Sequence, residues 1–245
     1  MDAGVANREG SFPKLAWLTR DDMREIDRVM VEDLGISLVQ MMENAGRHLA
    51  TVARAHLLGG DVAGRRVLIL TGTGGNGGGG LVAARRLHAW GANVRVVVAA
   101  PRARYAGVPR EQIQIVGRLG IDVVSDPVDV EGYDLVIDAL VGYSLNGRLR
   151  GRVEELARWG NQQSAPILSL DVPSGLDAST GETPGEAIDP SVTMTLAMPK
   201  AGLVDRTKVG RLFLADIGVP PDTYQRVLGR EVAQPFTHSD LVEVW

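Results

Sequence analysis

A run of glycines limits what this chain can fold into. Residues 72–80 contain seven glycines, after the apolar segment 66–70 and before residues 81–88, whose apolar positions recur at helical spacing. That order predicts a strand, a turn and a helix start. Glycine adopts positive φ and lets backbone N–H groups approach a ligand, and a helix N-terminus favours an anion. A flexible linker is the alternative, but a strand and a helix frame this run closely, which favours a binding turn.

Strand and helix patterns alternate along the rest of the chain. Strands are expected at 94–99, 122–124, 133–137, 165–170, 191–197 and 211–215, and helices at about 80–90, 109–119 and 149–162. Because these strands are apolar throughout, they fit a parallel sheet covered on both faces. The pattern predicts a three-layer α/β/α Rossmann-like domain with a mainly parallel central sheet. Residues 18–245 are expected to form this one domain, after a flexible tail at residues 1–17.

Two amphipathic helices are expected before the glycine run. Thr19 offers an N-cap to the first and Ser37 begins the second, with Gly35 interrupting the chain between them. The second helix carries Met41 and Met42 on its apolar stripe. A stripe of this kind indicates either core packing or a dimer contact.

Composition excludes several classes of function. The net charge of -4 shows no basic excess, so a nucleic-acid partner is not expected. The absence of cysteine excludes thiolate metal sites and disulfides, and the four histidines form no metal-binding pair. No segment reaches the ~18 to 20 apolar residues that cross a bilayer, and the polar start lacks the apolar core of a signal peptide. A cytoplasmic protein without a membrane partner is the resulting expectation.

Three strand ends are predicted to meet at one edge of the sheet. In a doubly wound sheet, ligands bind beyond the carboxyl ends of the strands, where the strand order reverses. The usual order makes the strands ending at residues 70, 137 and 170 neighbours. Polar or glycine-rich sequence follows each of them, and this places Asn76, Asp138, Asp171 and Ser174 within reach of one pocket.

The glycine run does not match the common nucleotide-binding motifs. Gly72, Gly74 and Gly77 satisfy G-x-G-x-x-G, but the acid expected ~20 residues later to bind a ribose is missing. No Lys-Ser or Lys-Thr ends the run, so it is not a P-loop either. An ordinary NAD dehydrogenase is therefore not expected.

The polar residues at these strand ends suggest two kinds of chemistry. Asn76, Asp138 and Ser174 supply hard oxygen ligands, which suit an alkali or alkaline-earth cation and not zinc. Asp138 has an alternative role as a helix cap or turn former. Asp171 in a dry pocket would have a raised pKa and is a candidate proton donor or acceptor. The alternative for Asp171 is a turn anchor for residues 173–175.

Six segments of the chain carry a family resemblance. They are residues 41–46, the glycine run 72–80, and residues 138–142, 171–177, 199–203 and 216–220. Together they resemble the YjeF N-terminal domain proteins, or NAD(P)H-hydrate epimerases, and the resemblance runs from about Leu18 to about Pro220.

The resemblance implies an isomerase of nicotinamide nucleotide repair. Family members have a Rossmann-like fold, are usually dimeric, and interconvert the R and S forms of hydrated NADH or NADPH. A separate dehydratase then acts on the S form only. By resemblance, a potassium ion is bound by Asn76, Asp138 and Ser174, and Asp171 is the catalytic acid or base. The substrate-binding residues implied in the same way are Gly75, Asn76, Gly77, Gly78, Gly79, Gly142, Tyr143, Ser144, Leu145, Asn146, Gly147, Arg148 and Asp171.

The chain departs from the family inside the glycine run. Family members typically read Asn-Asn-Gly-Gly-Asp-Gly at residues 75–80, so Gly75 replaces an asparagine and Gly79 replaces an aspartate. Three outcomes fit this change: a slow epimerase, an altered ligand, or a nucleotide-binding or dimerising scaffold domain without turnover.

Overall fold

A twisted, mainly parallel sheet forms the centre of the protein. The structure is a computed structural model, and it describes residues 15–127 and 132–245. Within these residues the sheet has eight strands in the order β3-β2-β1-β4-β5-β6-β7-β8. The strands are β1 Arg66–Thr71, β2 Asn93–Val98, β3 Asp122–Val124, β4 Leu135–Ala139, β5 Ile167–Leu170, β6 Val192–Leu196, β7 Arg211–Ala215 and β8 Leu241–Glu243.

Helices fill the connections between the strands. The α-helices are α1 Arg20–Arg28, α2 Leu38–Val52, α3 Gly75–Ala89, α4 Gly107–Arg118, α5 Arg152–Asn161, α6 Arg206–Val209 and α7 Pro221–Leu228. Thr19 caps α1 and Ser37 caps α2, each in a reciprocal capping box, as the sequence predicted. Gly35 has φ +71° and ends the first helical segment. Short π-helical turns, Val29–Asp33 and Ala53–Leu57, extend α1 and α2.

The strand order confirms the predicted fold class. β1 pairs with β2 on one side and with β4 on the other, and β5 lies next to β4, all in parallel. The carboxyl ends of β1, β4 and β5 are therefore neighbours, as the alternation of strands and helices predicted. Only β8, which was not predicted, runs antiparallel, against β7, within the described sheet.

The sheet is buried on both faces. Leu49, Leu81 and Val116, from α2, α3 and α4, pack against one face. Leu156 and Ala157 from α5 pack against the other. Most strand residues therefore carry apolar side chains, which explains the apolar runs in the sequence.

Most of the glycine run lies inside a helix and not in the predicted turn. α3 begins at Gly75, five residues earlier than expected, and none of the glycines from 72 to 80 has positive φ. A Cβ atom on Gly80 would lie 2.5 Å from Ala139 Cβ, and one on Gly78 would lie 2.3 Å from Met42 Sδ. The glycines therefore allow α3 to pack closely against α2 and the sheet. This closeness offsets the cost of about 1 kcal/mol that a glycine brings to a helix interior.

The start of the described chain is packed, which corrects one predicted boundary. Of the predicted tail 1–17, residues 1–14 lie outside the described residues. Ala16 is buried, and Trp17 stacks on Trp245 with ring centroids 5.8 Å apart. Residues 15–17 therefore belong to the folded part. Among the described residues, the helices are all too short or too polar to cross a membrane.

Candidate functional site

A cavity of about 270 Å³ opens at the carboxyl ends of β1, β4 and β5. The N-terminus of α3 forms part of its wall through Gly75 and Asn76. The segment after β4 contributes Gly142, Tyr143 and Ser144. The other lining residues are Met23, Asp27, Leu38, Met41, Met42, Ala45, Leu170, Asp171, Leu196, Lys200 and Ile217. The wall is thus apolar, with a few polar groups that converge on it, as in a small-molecule site.

Asp171 and Lys200 form a buried ion pair at this cavity. Lys200 Nζ lies 2.5 Å from Asp171 Oδ1, and the two residues are 0% and 3% exposed. Lys200 Nζ also donates to the Leu196 carbonyl at 2.8 Å and to Thr195 Oγ1 at 3.3 Å. The backbone N–H of Tyr143 donates to the second oxygen, Asp171 Oδ2, at 2.9 Å. The pair fixes a carboxylate at the cavity wall.

The backbone of Asp171 is strained. Its φ is +68°, a conformation that costs a non-glycine residue about 1 kcal/mol or more. The turn that follows β5 imposes this conformation and aims the carboxyl group at Lys200. Strain of this kind clusters at functional sites.

A second carboxyl group, that of Asp27 in α1, reaches the same cavity. The Tyr143 hydroxyl donates to Asp27 Oδ2 at 2.5 Å. Burial raises the pKa of Asp27, and the Tyr143 hydrogen bond and the Lys200 charge oppose this shift in part. Burial, together with the Asp27 charge, also raises the pKa of Tyr143 well above its usual value of 10.0. Tyr143 therefore connects the two carboxyl groups, through its N–H at one end and its hydroxyl at the other.

Asp138 lies below the cavity at the end of β4 and is fully buried. Ser174 Oγ donates to its Oδ1 at 2.6 Å and the Ser174 N–H to its Oδ2 at 2.9 Å. Ser169 Oγ and the Leu140 N–H donate as well, at 2.9 and 3.2 Å. Burial raises the pKa of Asp138, and the bonds from Ser174 counteract this. In the described part of the chain Asp138 has these neutral partners and no cationic one.

Asn76 lies on the other side of the segment after β4. A Cβ atom on Gly142 would be 3.0 Å from Asn76 Oδ1 and 2.9 Å from Asp171 Oδ2, so glycine is required where these two side chains approach the backbone. The Asn76 Nδ2 atom is buried and has no hydrogen-bond partner among the described residues. Because an orphaned buried amide is costly, this atom is well placed to bind a ligand.

The side chains of Ser174 and Asn76 each approach residues 141–142, and Ser174 also donates to Asp138. Ser174 Oγ contacts both the N–H and the carbonyl of Val141, at 2.9 and 3.1 Å, while Asn76 approaches Gly142. Within residues 15–127 and 132–245, no cluster of three or more His, Cys, Asp or Glu side chains is arranged to hold a metal ion. The oxygen atoms near this segment are instead those of one carboxylate, one amide and one hydroxyl, which suit a hard alkali or alkaline-earth cation.

Several predicted binding residues lie away from the cavity wall. Gly77, Gly78 and Gly79 are buried in the packing of α3, and a Cβ atom on Gly79 would lie 2.8 Å from Leu170 Cδ2. Asn146, Gly147 and Arg148 are exposed beyond the cavity. The Leu145 carbonyl accepts a hydrogen bond from Arg20, which ties this segment to α1. The structure thus brings Gly75, Asn76, Gly142, Tyr143, Ser144 and Asp171 together at the cavity.

Sequence reasoning assigned no role to Lys200 or Asp27. One signal for Lys200 was available: the chain has only three lysines among its 26 Lys and Arg residues, and this one follows an apolar strand. Asp27 is four residues after Met23, so both lie on the same helical face. The sequence signal for Asp27 was therefore an acidic residue on the apolar face of α1.

Comparison with known proteins identifies related chains. The model of the family described as YjeF-related protein N-terminus matches residues 38–202. The NAD(P)H-hydrate epimerase of Dehalogenimonas lykanthroporepellens is 47% identical over 224 residues, which cover 91% of this chain and 90% of that protein.

Two further relatives extend the comparison. The bifunctional NAD(P)H-hydrate repair enzyme Nnr of Hyperthermus butylicus is 39% identical over 217 residues, or 84% of this chain. The match spans only 39% of that bifunctional enzyme. A crystal structure of the yeast protein ynu0, YNL200c, superposes with a TM-score of 0.78 at 27% identity, covering 94% of this chain and 100% of that one.

Proposed function

The chain belongs to the family of YjeF-related N-terminal domains, and on that basis we propose that it interconverts the R and S forms of hydrated NADH or NADPH. This is an isomerase activity in nicotinamide nucleotide repair. The observation that carries the proposal is the Asp171–Lys200 pair, a fixed carboxylate in a cavity at the switch point of the sheet. The scaffold alternative is not favoured, because the relative at 47% identity is named an epimerase.

The chemistry of the substrate defines what the site must do. Water adds to the dihydronicotinamide ring at the carbon beside the ring nitrogen and gives a hemiaminal. Inversion breaks a bond at this carbon and re-forms it on the other face. In the ring-opening route the hydroxyl gives its proton to a base and becomes an aldehyde oxygen. The C–N electron pair passes to nitrogen, which takes up a proton, and the reverse steps close the ring.

Asp171 is the group best placed to exchange this proton. Each of its oxygens accepts one protein hydrogen bond, from Lys200 or from Tyr143 N–H, and each retains a lone pair for a ligand. The Lys200 ammonium stabilises the carboxylate, so that Asp171 begins as the base. General acid–base catalysis by a positioned group contributes about 10²- to 10⁴-fold in rate.

The cavity accommodates only part of a dinucleotide. Its volume of about 270 Å³ is just below the ~300 to 1,000 Å³ of typical ligand pockets, and it suits a nicotinamide ring with part of its ribose. The phosphates would then lie at the N-terminus of α3, near Gly75, where free N–H groups and the helix dipole favour anions. Residues 144–148, of which all but the half-buried Leu145 are exposed, would contact the rest of the nucleotide.

The residues of the predicted cation site fit a potassium ion. Asp138 is a buried carboxyl without a cationic partner in the described chain, and a buried charge needs one. Ser174 can turn its hydroxyl from Asp138 to the Val141 carbonyl, which leaves Asp138 Oδ1 with only the Leu140 N–H as a donor and opens a lone pair to the ion. Asn76, Asp138 and Ser174 would hold the ion. Bound there, potassium would neutralise Asp138 and attract the phosphates of the nucleotide.

The two departures from the family differ in their structural setting. Gly75 lines the cavity, and a Cβ atom there would meet nothing within 4 Å. Gly79 is buried behind Leu170, so an aspartate would displace that side chain. Neither glycine contacts the Asp171–Lys200 pair through a hydrogen bond, so the proposed proton-exchanging group is retained.

We also propose a cytoplasmic homodimer that works with a separate dehydratase. The exposed apolar side chains Val31, Leu34, Leu38 and Val39 form a surface that a second copy would cover. Light scattering coupled to size exclusion tests the dimer. The activity itself is tested by incubating the protein with one separated epimer of NADH hydrate. Appearance of the other epimer at the uncatalysed rate would reject the proposed function.

A further inference from the structure

Asp27 is the polar group in the cavity that the proposed function leaves without a role. It comes from α1, far in sequence from the strand ends, and nevertheless reaches the cavity beside Met23 and Leu196. The charges that act on it are those of Lys200 and Asp171, and its hydrogen-bond partner is the Tyr143 hydroxyl. Within the described residues Asp27 forms no ion pair. A carboxyl group in such a position is costly, and an apolar residue would pack there at less cost.

Tyr143 sets the distance between Asp27 and Asp171. Its N–H donates to Asp171 Oδ2, and its hydroxyl, at the far end of the side chain, donates to Asp27 Oδ2. The two carboxyl groups are therefore separated by roughly the length of one tyrosine, and both line the same cavity.

An epimerase must bind the same hydroxyl group on both faces of the reacting carbon. Asp171 is able to contact that hydroxyl in one epimer. In the other epimer the hydroxyl lies on the opposite face of the ring, away from Asp171. The Tyr143 oxygen donates its proton to Asp27 and keeps lone pairs for an incoming hydroxyl. Asp27 fixes the tyrosine in this orientation and increases the electron density on its oxygen.

We propose that Asp27 is a positioning residue of the epimerase, which holds the Tyr143 hydroxyl as the contact for the substrate hydroxyl in one of the two epimers. Asp171 makes the corresponding contact in the other epimer. The inference rests on the proposed function, because it assigns one contact to the substrate hydroxyl in each of the two epimers.

The ratio of the KM values for the two epimers distinguishes this role from a merely structural one. The ratio of kcat/KM in the two directions equals the fixed equilibrium constant, so no variant can change it. The ratio of the KM values for the R and S epimers is free to change when one epimer loses a hydrogen bond. Loss of one such bond should change this ratio roughly threefold to tenfold.

The experiment compares Asp27→Asn, Tyr143→Phe and the double variant with the separated epimers of NADH hydrate. Asp21→Asn, an exposed position on the same helix, is the matched control. We expect both single variants to change the KM ratio in the same direction. The double variant should show no larger change than the stronger single one, and Asp21→Asn should show none. Tyr143→Phe removes only one oxygen atom and serves as the test by itself if Asp27→Asn fails to fold.

Each other result overturns the inference in a distinct way. An unchanged KM ratio in folded, active Tyr143→Phe rejects the second contact and leaves the proposed function intact. A change in Tyr143→Phe without one in folded Asp27→Asn rejects the role of Asp27. If the changes in the KM ratio are additive in the double variant, Asp27 and Tyr143 do not act as a unit. A wild-type protein that does not interconvert the epimers rejects both the inference and the proposed function.

Discussion

Lys200 lies 2.5 Å from Asp171, and water reaches neither charge to any extent, since the two residues are 0% and 3% exposed. Lys200 follows β6 and Asp171 follows β5, so the ion pair joins the ends of two adjacent strands. Buried pairs of this kind stabilise little, because desolvation offsets their attraction. The pair is therefore better explained by its effect on Asp171 as a proton-exchanging group than by stability.

Lys200→Met should damage both stability and activity. It leaves the Asp171 carboxylate buried without a counter-charge, which costs about 3 to 5 kcal/mol in unfolding free energy. The double variant Asp171→Asn with Lys200→Met should recover part of that loss, because no lone charge remains. Urea unfolding measures the unfolding free energy of the single and the double variant. Lys208→Met, at a part-exposed lysine bonded to the Gly181 carbonyl, is the control. A double variant no more stable than Lys200→Met would contradict this account.

Potassium should stabilise the wild type through the site at Asp138. A ligand at ~100 times its Kd adds ~2.7 kcal/mol to the unfolding free energy. The thermal midpoint should therefore be higher in potassium chloride than in choline chloride of equal concentration. Asn76→Ala should abolish this difference, while Asp134→Asn, at the half-buried residue just before β4, should keep it. Equal midpoints for the wild type in the two salts would count against the cation site.

Gly80→Ala should destabilise the protein although alanine favours helices. The new Cβ atom would lie 2.5 Å from Ala139 Cβ, which is attached to a buried strand and cannot turn away. Overpacking of this kind costs about 1 to 3 kcal/mol. Gly75→Ala is the matched control, since its Cβ atom would meet nothing within 4 Å. Chemical denaturation compares the two, and equal stabilities would show that the glycines are not needed for packing.

His48 should make the protein less stable in mild acid. Burial, followed by the neighbouring Arg47 charge, lowers the pKa of His48 below its ordinary value of 6.5. The unfolded chain therefore binds a proton first as the pH falls, and stability is lost from about pH 6.5 down to the folded pKa. His48→Gln should flatten this part of the profile, whereas His88→Gln, at an exposed position of α3, should not. Parallel wild-type and His48→Gln profiles would argue against this shift.

The sequence was sufficient to predict the sheet and its switch point. Apolar strands at regular spacing, with the turn after Leu70 and acids at Asp138 and Asp171, placed β1, β4 and β5 side by side. The start of α3 was predicted five residues too late and the packing role of its glycines was not predicted, because local pattern shows that Gly78 and Gly80 lack side chains but not which neighbours require this. Met42 and Ala139, which require it, are distant in sequence.

Two site residues depended on contacts that no local pattern contains. Lys200 is recognisable as unusual in an apolar segment, but its partner Asp171 is 29 residues away. Asp27 meets Tyr143 across 116 residues, because α1 returns to the cavity from the start of the fold. Family resemblance pointed to Asp171 and Asn76, and the structure adds Lys200 and Tyr143, which orient Asp171.

The central claim is that Asp171 exchanges the proton whose transfer allows the R and S forms of the hydrate to interconvert. Conversion of pure R hydrate of NADH to the S form, followed by chiral separation, measures it most directly. The wild type should exceed the uncatalysed rate, and Asp171→Asn should lose about 10²- to 10⁴-fold of that activity, while Asp205→Asn, at the exposed cap of α6, should keep it. Full activity in Asp171→Asn would contradict the account.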